Sequence, residues 1–150
     1  MNQEQPIIGW REWVALPGLK VPGVQAKIDT GARSSSLHTH DYEEFERDGV
    51  SMVSFHLHPL TDRDDLVLTC EAPVVSHREV KDSGGHVERR PFIRTTVRMG
   101  SLEWEIDLNL TNRENMKYRM LLGREGLKMF LVNPSHNRLI GKDLTQAYDR

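Results

Sequence analysis

The sequence predicts an all-β barrel or sandwich. Three observations lead there: segments in which apolar and polar residues alternate, short polar turns between them, and few helical signals. The clearest alternation runs from Leu102 to Leu110, where every even position is apolar and every odd one polar. A strand of this kind has one buried face and one wet face. Upstream, Ile93, Val97 and Met99 alternate with Arg94, Thr96 and Arg98, and Met99-Gly100-Ser101 reads as the turn of a hairpin. Val53, Phe55 and Leu57 alternate with Ser54, His56 and His58, and Leu66, Leu68 and Cys70 read as their partner strand. The stretch 71–80 looks extended, Asp82-Ser83-Gly84-Gly85 turns the chain, and residues 86–92 return. Helix is expected only as one or two turns over residues 41–47 and a short C-terminal helix over 124–130, with Leu127, Phe130 and Leu131 on one face. Leu139-Ile140-Gly141 reads as a last short strand, and the tail from Asp143 to Arg150 as frayed.

A chain of 150 residues favours one domain, taken as 1–150 with its core at about 10–141. Hydrophobic residues at 37% and charged residues at 28% are ordinary for a soluble globular protein. A net charge of -2 gives no reason to expect a nucleic-acid partner. No apolar run approaches the roughly 18 residues of a membrane span. The first residues, Met-Asn-Gln-Glu-Gln-Pro, lack the basic-then-apolar pattern of a secretory signal. Cys70, the lone cysteine, has no internal disulfide partner and suits a reducing compartment. A cytoplasmic location is the expectation.

The most informative segment is Ala26-Lys27-Ile28-Asp29-Thr30-Gly31-Ala32. A strand runs into Asp29, and Thr30-Gly31 turns the chain, so a scaffold can aim the carboxylate. On its own the tripeptide is more often an ordinary Asx turn than a catalytic loop. A second motif, Met120-Leu121-Leu122-Gly123-Arg124-Glu125-Gly126-Leu127, is an apolar strand end, a glycine and a short helix. Together the two motifs resemble the retropepsin-like aspartic peptidases, the single-lobe relatives of retroviral proteases. The resemblance covers about residues 10–135 and implies a closed single-lobe barrel. It implies Asp29, Thr30 and Gly31 as the catalytic loop, Ala32, Leu122 and Gly123 as its support, and Asp82, Ser83, Gly84 and Gly85 as the tip of a flap. More narrowly, residues 26–37 and 90–127 resemble a bacterial family labelled ATP-dependent zinc proteases, whose members accompany ATP-grasp ligases of the RimK type that add glutamate to a ribosomal protein. The residues do not match that label. There is no His-Glu-x-x-His and no phosphate-binding glycine loop ending in Lys-Ser/Thr, so neither metal nor cofactor is expected.

The resemblance also implies a homodimer. This hydrolysis uses two carboxylates sharing one proton, and the chain carries one Asp-Thr-Gly. A two-fold axis between two chains would supply the second. In retroviral relatives the residue after Asp-Thr-Gly-Ala is acidic and pairs with the Arg of Gly-Arg. Here it is Arg33, which leaves Arg124 without that partner. With Arg89, Arg90 and Arg94 near the flap, the cleft gathers positive charge, which suits an acidic, glutamate-rich peptide. A glutamate ligase system is then an expected partner. The bland alternative is that these arginines are solvated or pair with Glu43, Glu44, Glu88 and Glu125. The histidines, including His38, His40, His56, His58, His77 and His86, read as wet strand positions, with a zinc hydrolase as the competing reading and a substrate-carboxylate role for His38 or His40 as another. Cys70 reads as core. Trp10, Trp13 and Trp104 read as packing. A silent barrel that recognises acidic tails is the alternative to an enzyme.

Overall fold

A computed structural model describes residues 5–82, 84–112 and 117–149. Ser83, expected at the tip of a hairpin, lies outside the described residues. Strands dominate, as the alternation predicts. The first are β1 (Ile7–Ile8), β2 (Arg11–Leu16), β3 (Val21–Ile28) and β4 (Ser35–His38). Next come β5 (Asp41–Arg47), β6 (Val50–Leu57) and β7 (Leu68–Pro73). β8 (Ser76–Lys81) and β9 (Val87–Met99) form a hairpin. β10 (Leu102–Thr111), β11 (Met120–Leu122) and β12 (Leu131–Val132) complete the order.

The pairings close a ring: β10 on β4, β4 on β11, β11 on β3, β3 on β2, β2 on β9, and β9 back on β10. β8 extends outward from β9. A second sheet, β5-β6-β7, lays Val53, Phe55, Leu57, Cys70 and Ala72 into the same core as Leu37, Val97, Leu108 and Leu122. The expected hairpin across Gly100 forms, with Leu102 opposite Met99 and Gly100 at φ 59. Among the described residues no helix is long and apolar enough to cross a membrane.

Two parallel pairings matter most. β11 runs parallel to β3, with Met120 beside Ala26 and Leu122 beside Ile28. β10 runs parallel to β4, with Leu108 beside Ser35 and Leu110 beside Leu37. The other edge of β11 pairs with β4 in the antiparallel sense, Met120 opposite Leu37. A strand of three residues cannot hold itself together. It persists because Met120 and Leu122 are fully buried and each edge is bonded. Gly123 follows directly. A Cβ there would lie 2.3 Å from the carbonyl oxygen of Ser34 and 2.8 Å from that of Ala32, so only glycine fits.

The helical expectations need correction. Residues 41–47 form β5, paired from Asp41 opposite His56 to Arg47 opposite Val50. Tyr42 and Phe45, three apart, imitate a helical face. The decisive signal is Asp48-Gly49, a two-residue turn with φ of 53 and 79 that folds β5 onto β6. Residues 124–130 hold one 3₁₀ turn, Arg124–Gly126. Leu127 and Phe130 reach the core, but Leu131 is 50% exposed because the chain turns out to pair β12 with β1. Residues 139–141 are not a strand; they are held by a side chain. Glu12, fully buried on β2, accepts the backbone N–H groups of Gly9 (2.7 Å), Leu139 (2.9 Å), Ile140 (2.9 Å) and Gly141 (2.6 Å). Nor is the tail frayed up to Asp149. Thr145–Tyr148 makes a 3₁₀ turn, and the Tyr148 hydroxyl donates to the Gly23 carbonyl and accepts from the Gly23 N–H at 3.1 Å. Burial pushes the Tyr148 phenol up to about 12.

Glu12→Ala would orphan four backbone donors, two of them buried, and is expected to lower unfolding free energy by about 3 kcal/mol or more, with Glu12→Gln milder. Urea titrations measure this, and a loss under about 1 kcal/mol for alanine would refute the clamp. Gly123→Ala is expected to cost about 1–3 kcal/mol through overpacking against Ser34, read from the same titrations.

Candidate active site

β3 and β11 are parallel neighbours, so Ile28-Asp29 and Leu122-Gly123 leave the sheet at the same end. The Asp29 N–H donates to the Leu122 carbonyl at 2.9 Å, one residue beyond the end of the ladder. The Asp29 carbonyl accepts the Ala32 N–H at 3.2 Å, and its Oδ1 accepts the Gly31 N–H at 2.9 Å. The Asx turn is therefore real, and it is also what orients the carboxylate. The support below is dense. The Arg124 and Glu125 N–H groups donate to the carbonyls of Ala32 and Arg33, at 2.8 and 3.1 Å. The Gly123 N–H donates to the Ser35 hydroxyl at 3.1 Å. Arg124 Nη1 reaches the carbonyls of Thr30 and Gly31, at 3.1 and 3.2 Å. Asp29 is half-buried, while Thr30 and Gly31 are exposed at the tip of the loop.

Asp29 opens into a cavity of about 500 Å³. One wall is the loop itself with Gly31, Ala32 and Arg33, backed by Leu121 and Arg124. Ser36 and His38 of β4 line the interior. The β8–β9 hairpin covers it with Glu79, Lys81, Asp82 and Arg90. Asp82 also shapes the hairpin tip: its carboxylate accepts the N–H groups of Gly84 and His86, each at 2.9 Å. Gly85 takes the left-handed conformation there, φ 86.

The five arginines fall into different places. Arg33 pairs with Glu125 at 2.8 Å, with side chains 80% and 40% exposed, so the pairing that a substrate anion was expected to provide is made within the chain. An exposed pair of this kind contributes little stability. Arg124, expected to face Arg33 across a substrate anion, instead braces the loop carbonyls. Arg94 lies on the outer face with Glu105 and Asp107, at 3.1 and 3.8 Å, and does not line the cavity. Arg89 is exposed on β9, opposite Glu79. Arg90, one residue on and so on the other strand face, is buried against the cavity.

Some site residues carry no signal in the sequence. Asn109 sits at an odd, nominally wet position of β10, yet it is fully buried and accepts from Arg90. Ser35 and Ser36, which the sequence assigns to no element, are buried strand residues. Nothing local marks them; their partners lie on β9 and β11, far along the chain. The histidines are dispersed. His56 pairs with Asp41 at 2.8 Å, His77 with Glu44 at 2.5 Å, and His40 packs edge-on to His58 at 5.4 Å. Among the described residues no three His, Cys, Asp or Glu side chains gather to hold a metal. Cys70 is core, and burial pushes its thiol up to about 11, away from nucleophilic use. Trp13 is buried, and Trp104 packs on Phe130 while donating to the Gly126 carbonyl at 2.9 Å.

Known proteins sharpen this geometry. Probable alpha-L-glutamate ligases match nearly the whole chain: that of Shewanella halifaxensis (strain HAW-EB4) is 43% identical over 143 residues, and that of Desulfotalea psychrophila (strain LSv54 / DSM 12343) 39% over 157. These matches cover 95% and 100% of this chain but 31% and 34% of the relatives, so the chain spans about a third of their length. The crystal structure of Lpg0085, a Legionella pneumophila protein of unknown function, superposes with a TM-score of 0.75 at 28% identity, covering 91% of this chain and 98% of that one. The family model RimB-like, described as the retropepsin-like aspartic endopeptidase RimB, matches residues 7–143, and the chain belongs to that family.

Proposed function

We propose that the chain is an aspartic-type peptidase that works as a homodimer, hydrolysing acidic, glutamate-rich peptide tails. One observation carries the reading: Asp29 is aimed from a rigid floor into a cavity covered by a β-hairpin. The family match supports the same chemistry. Two Asp29 carboxylates across a two-fold axis would share one proton, since two charges a few ångströms apart cannot both persist cheaply. The ionised partner takes a proton from water, and the protonated partner donates to the scissile carbonyl. The water oxygen bonds to the carbonyl carbon, and the tetrahedral species collapses by breaking the C–N bond as the carboxyl that took the water proton passes it to the leaving amine. Thr30, exposed beside Asp29, would bond across such an axis. The β8–β9 hairpin would hold substrate and exclude water.

Two supports favour an acidic substrate. Beside Glu79 and Asp82 the cavity is lined by Lys81 and the buried Arg90, cations that neither pair with Glu125 as Arg33 does nor brace the loop as Arg124 does. The relatives named as glutamate ligases contain a region like this chain, which puts glutamate within reach of the homologous fold. A ligase of that kind is then the natural partner, and the cytoplasm the natural setting. The same names favour a second reading, a non-catalytic domain that holds acidic tails for a ligase.

Asp29→Asn separates the two. Cleavage of a glutamate-rich peptide, followed by mass spectrometry, is expected to vanish in the variant while peptide binding persists. Cleavage by the variant at the wild-type rate would sink the carboxylate mechanism. After subunit exchange, an equal mixture of wild type and Asp29→Asn is expected to contain about a quarter active dimers, giving roughly half the additive activity. Simple additivity would mean that each chain acts alone.

A further inference from the structure

Of Arg33, Arg89, Arg90, Arg94 and Arg124, only Arg90 is buried, at 4% exposure. A guanidinium taken out of water is expensive unless it is bonded and charge-balanced. Arg90 Nη1 donates to Asn109 Oδ1 at 3.0 Å and lies 3.5 Å from the Ser36 hydroxyl, and its Nε is 3.3 Å from Glu88. Nevertheless it lines the same cavity as Asp29. His38, 7% exposed, lines it too, and it follows Ser36 by two residues on β4, on the same strand face. A buried cation, a hydroxyl and an imidazole thus converge on one wall.

We propose that Arg90, with Ser36 and His38, forms a carboxylate subsite that reads an acidic side chain of the peptide lying over Asp29. This rests on the peptidase reading above and names the residue that sets its specificity. The subsite is registered to the catalytic loop by buried bonds. Asn109, which holds Arg90, donates through Nδ2 to the Ser35 carbonyl at 2.9 Å. The Ser35 hydroxyl accepts the Gly123 N–H, and the residue before Gly123 accepts the Asp29 N–H. Recognition and chemistry therefore share one floor, the arrangement that positions a substrate most sharply. Glu88 is the internal competitor for the guanidinium: it balances the buried charge and sets what an incoming carboxylate must match.

The test compares a labelled peptide carrying four glutamates with the same peptide carrying glutamines. Wild type is expected to prefer glutamate in kcat/KM. Arg90→Gln is expected to lower the glutamate-to-glutamine ratio about 10- to 100-fold, the worth of a charge-assisted hydrogen bond. Glu88→Gln removes the competitor and is expected to raise it, which keeps the proposal testable if Arg90→Gln fails to fold. Equal cleavage of both peptides by wild type, or an unchanged ratio in either folded variant, would overturn the subsite and leave the peptidase reading standing. Fluorescence anisotropy on Asp29→Asn reads binding without turnover. If wild type cuts neither peptide, yet Asp29→Asn prefers glutamate and loses that preference when Arg90→Gln is added, the peptidase reading falls and the subsite stands. No binding preference there overturns the subsite as well.

Discussion

Everything in the site depends on one constraint: β11, three residues long, is wedged between β3 and β4. Because it lies parallel to β3, the two chain segments end together, and Asp29 can borrow the Leu122 carbonyl as though the ladder continued. Because it lies antiparallel to β4, the serines that follow the Asp29 loop return beneath it. The loop is thus trapped between a strand it leaves and a strand it enters. The carbonyls of Thr30, Gly31, Ala32 and Arg33 and the Ser35 hydroxyl are taken up by the backbone of residues 123–125 and by the Arg124 guanidinium. Such a loop has few conformations to choose from, and a carboxylate on it is held by backbone geometry more than by its own side-chain contacts.

Away from the loop, the barrel is secured by a different device. Where β2 lacks a further strand beside residues 139–141, the Glu12 carboxylate accepts the N–H groups a strand would have bonded. A charged acceptor for several amides is stronger than the neutral ladder bonds it replaces. It satisfies irregular backbone that a buried loop would otherwise leave unpaired. Both places obey the same rule: where regular pairing stops, polar side chains continue it, Glu12 in one and Ser35 with Arg124 in the other.

That rule also explains what could be read in the sequence. The alternation in β9 and β10 is local and survives folding almost unchanged, so the hairpin across Gly100 was legible. Leu122-Gly123 was legible as a motif because close-packed backbone forces its glycine, and Asp29-Thr30-Gly31 because its loop resembles that of a known family. β5 is misleading because its helix-like spacing of Tyr42 and Phe45 masks the Asp48-Gly49 turn, which is the stronger signal. Glu12 and Asn109 are invisible to periodicity. Each occupies a position that alternation assigns to solvent or leaves undecided, and its partners are supplied by segments remote in sequence.

The arginines show where charge counting fails as a guide to a site. A tally of cations near the loop treats Arg33, Arg94 and Arg124 alike, but the fold separates them. Arg33 forms a solvent ion pair, Arg94 a cross-strand pair on the outer face, and Arg124 a brace on two carbonyls. An exposed guanidinium that already has a carboxylate offers a passing substrate little, because water and salt screen what remains. A buried one is different, since the low local dielectric that makes its burial expensive also strengthens its attraction for an anion. Specificity for charge is therefore expected where a cation is least exposed, and in this cavity that place is Arg90, fixed by the same scaffold that fixes Asp29.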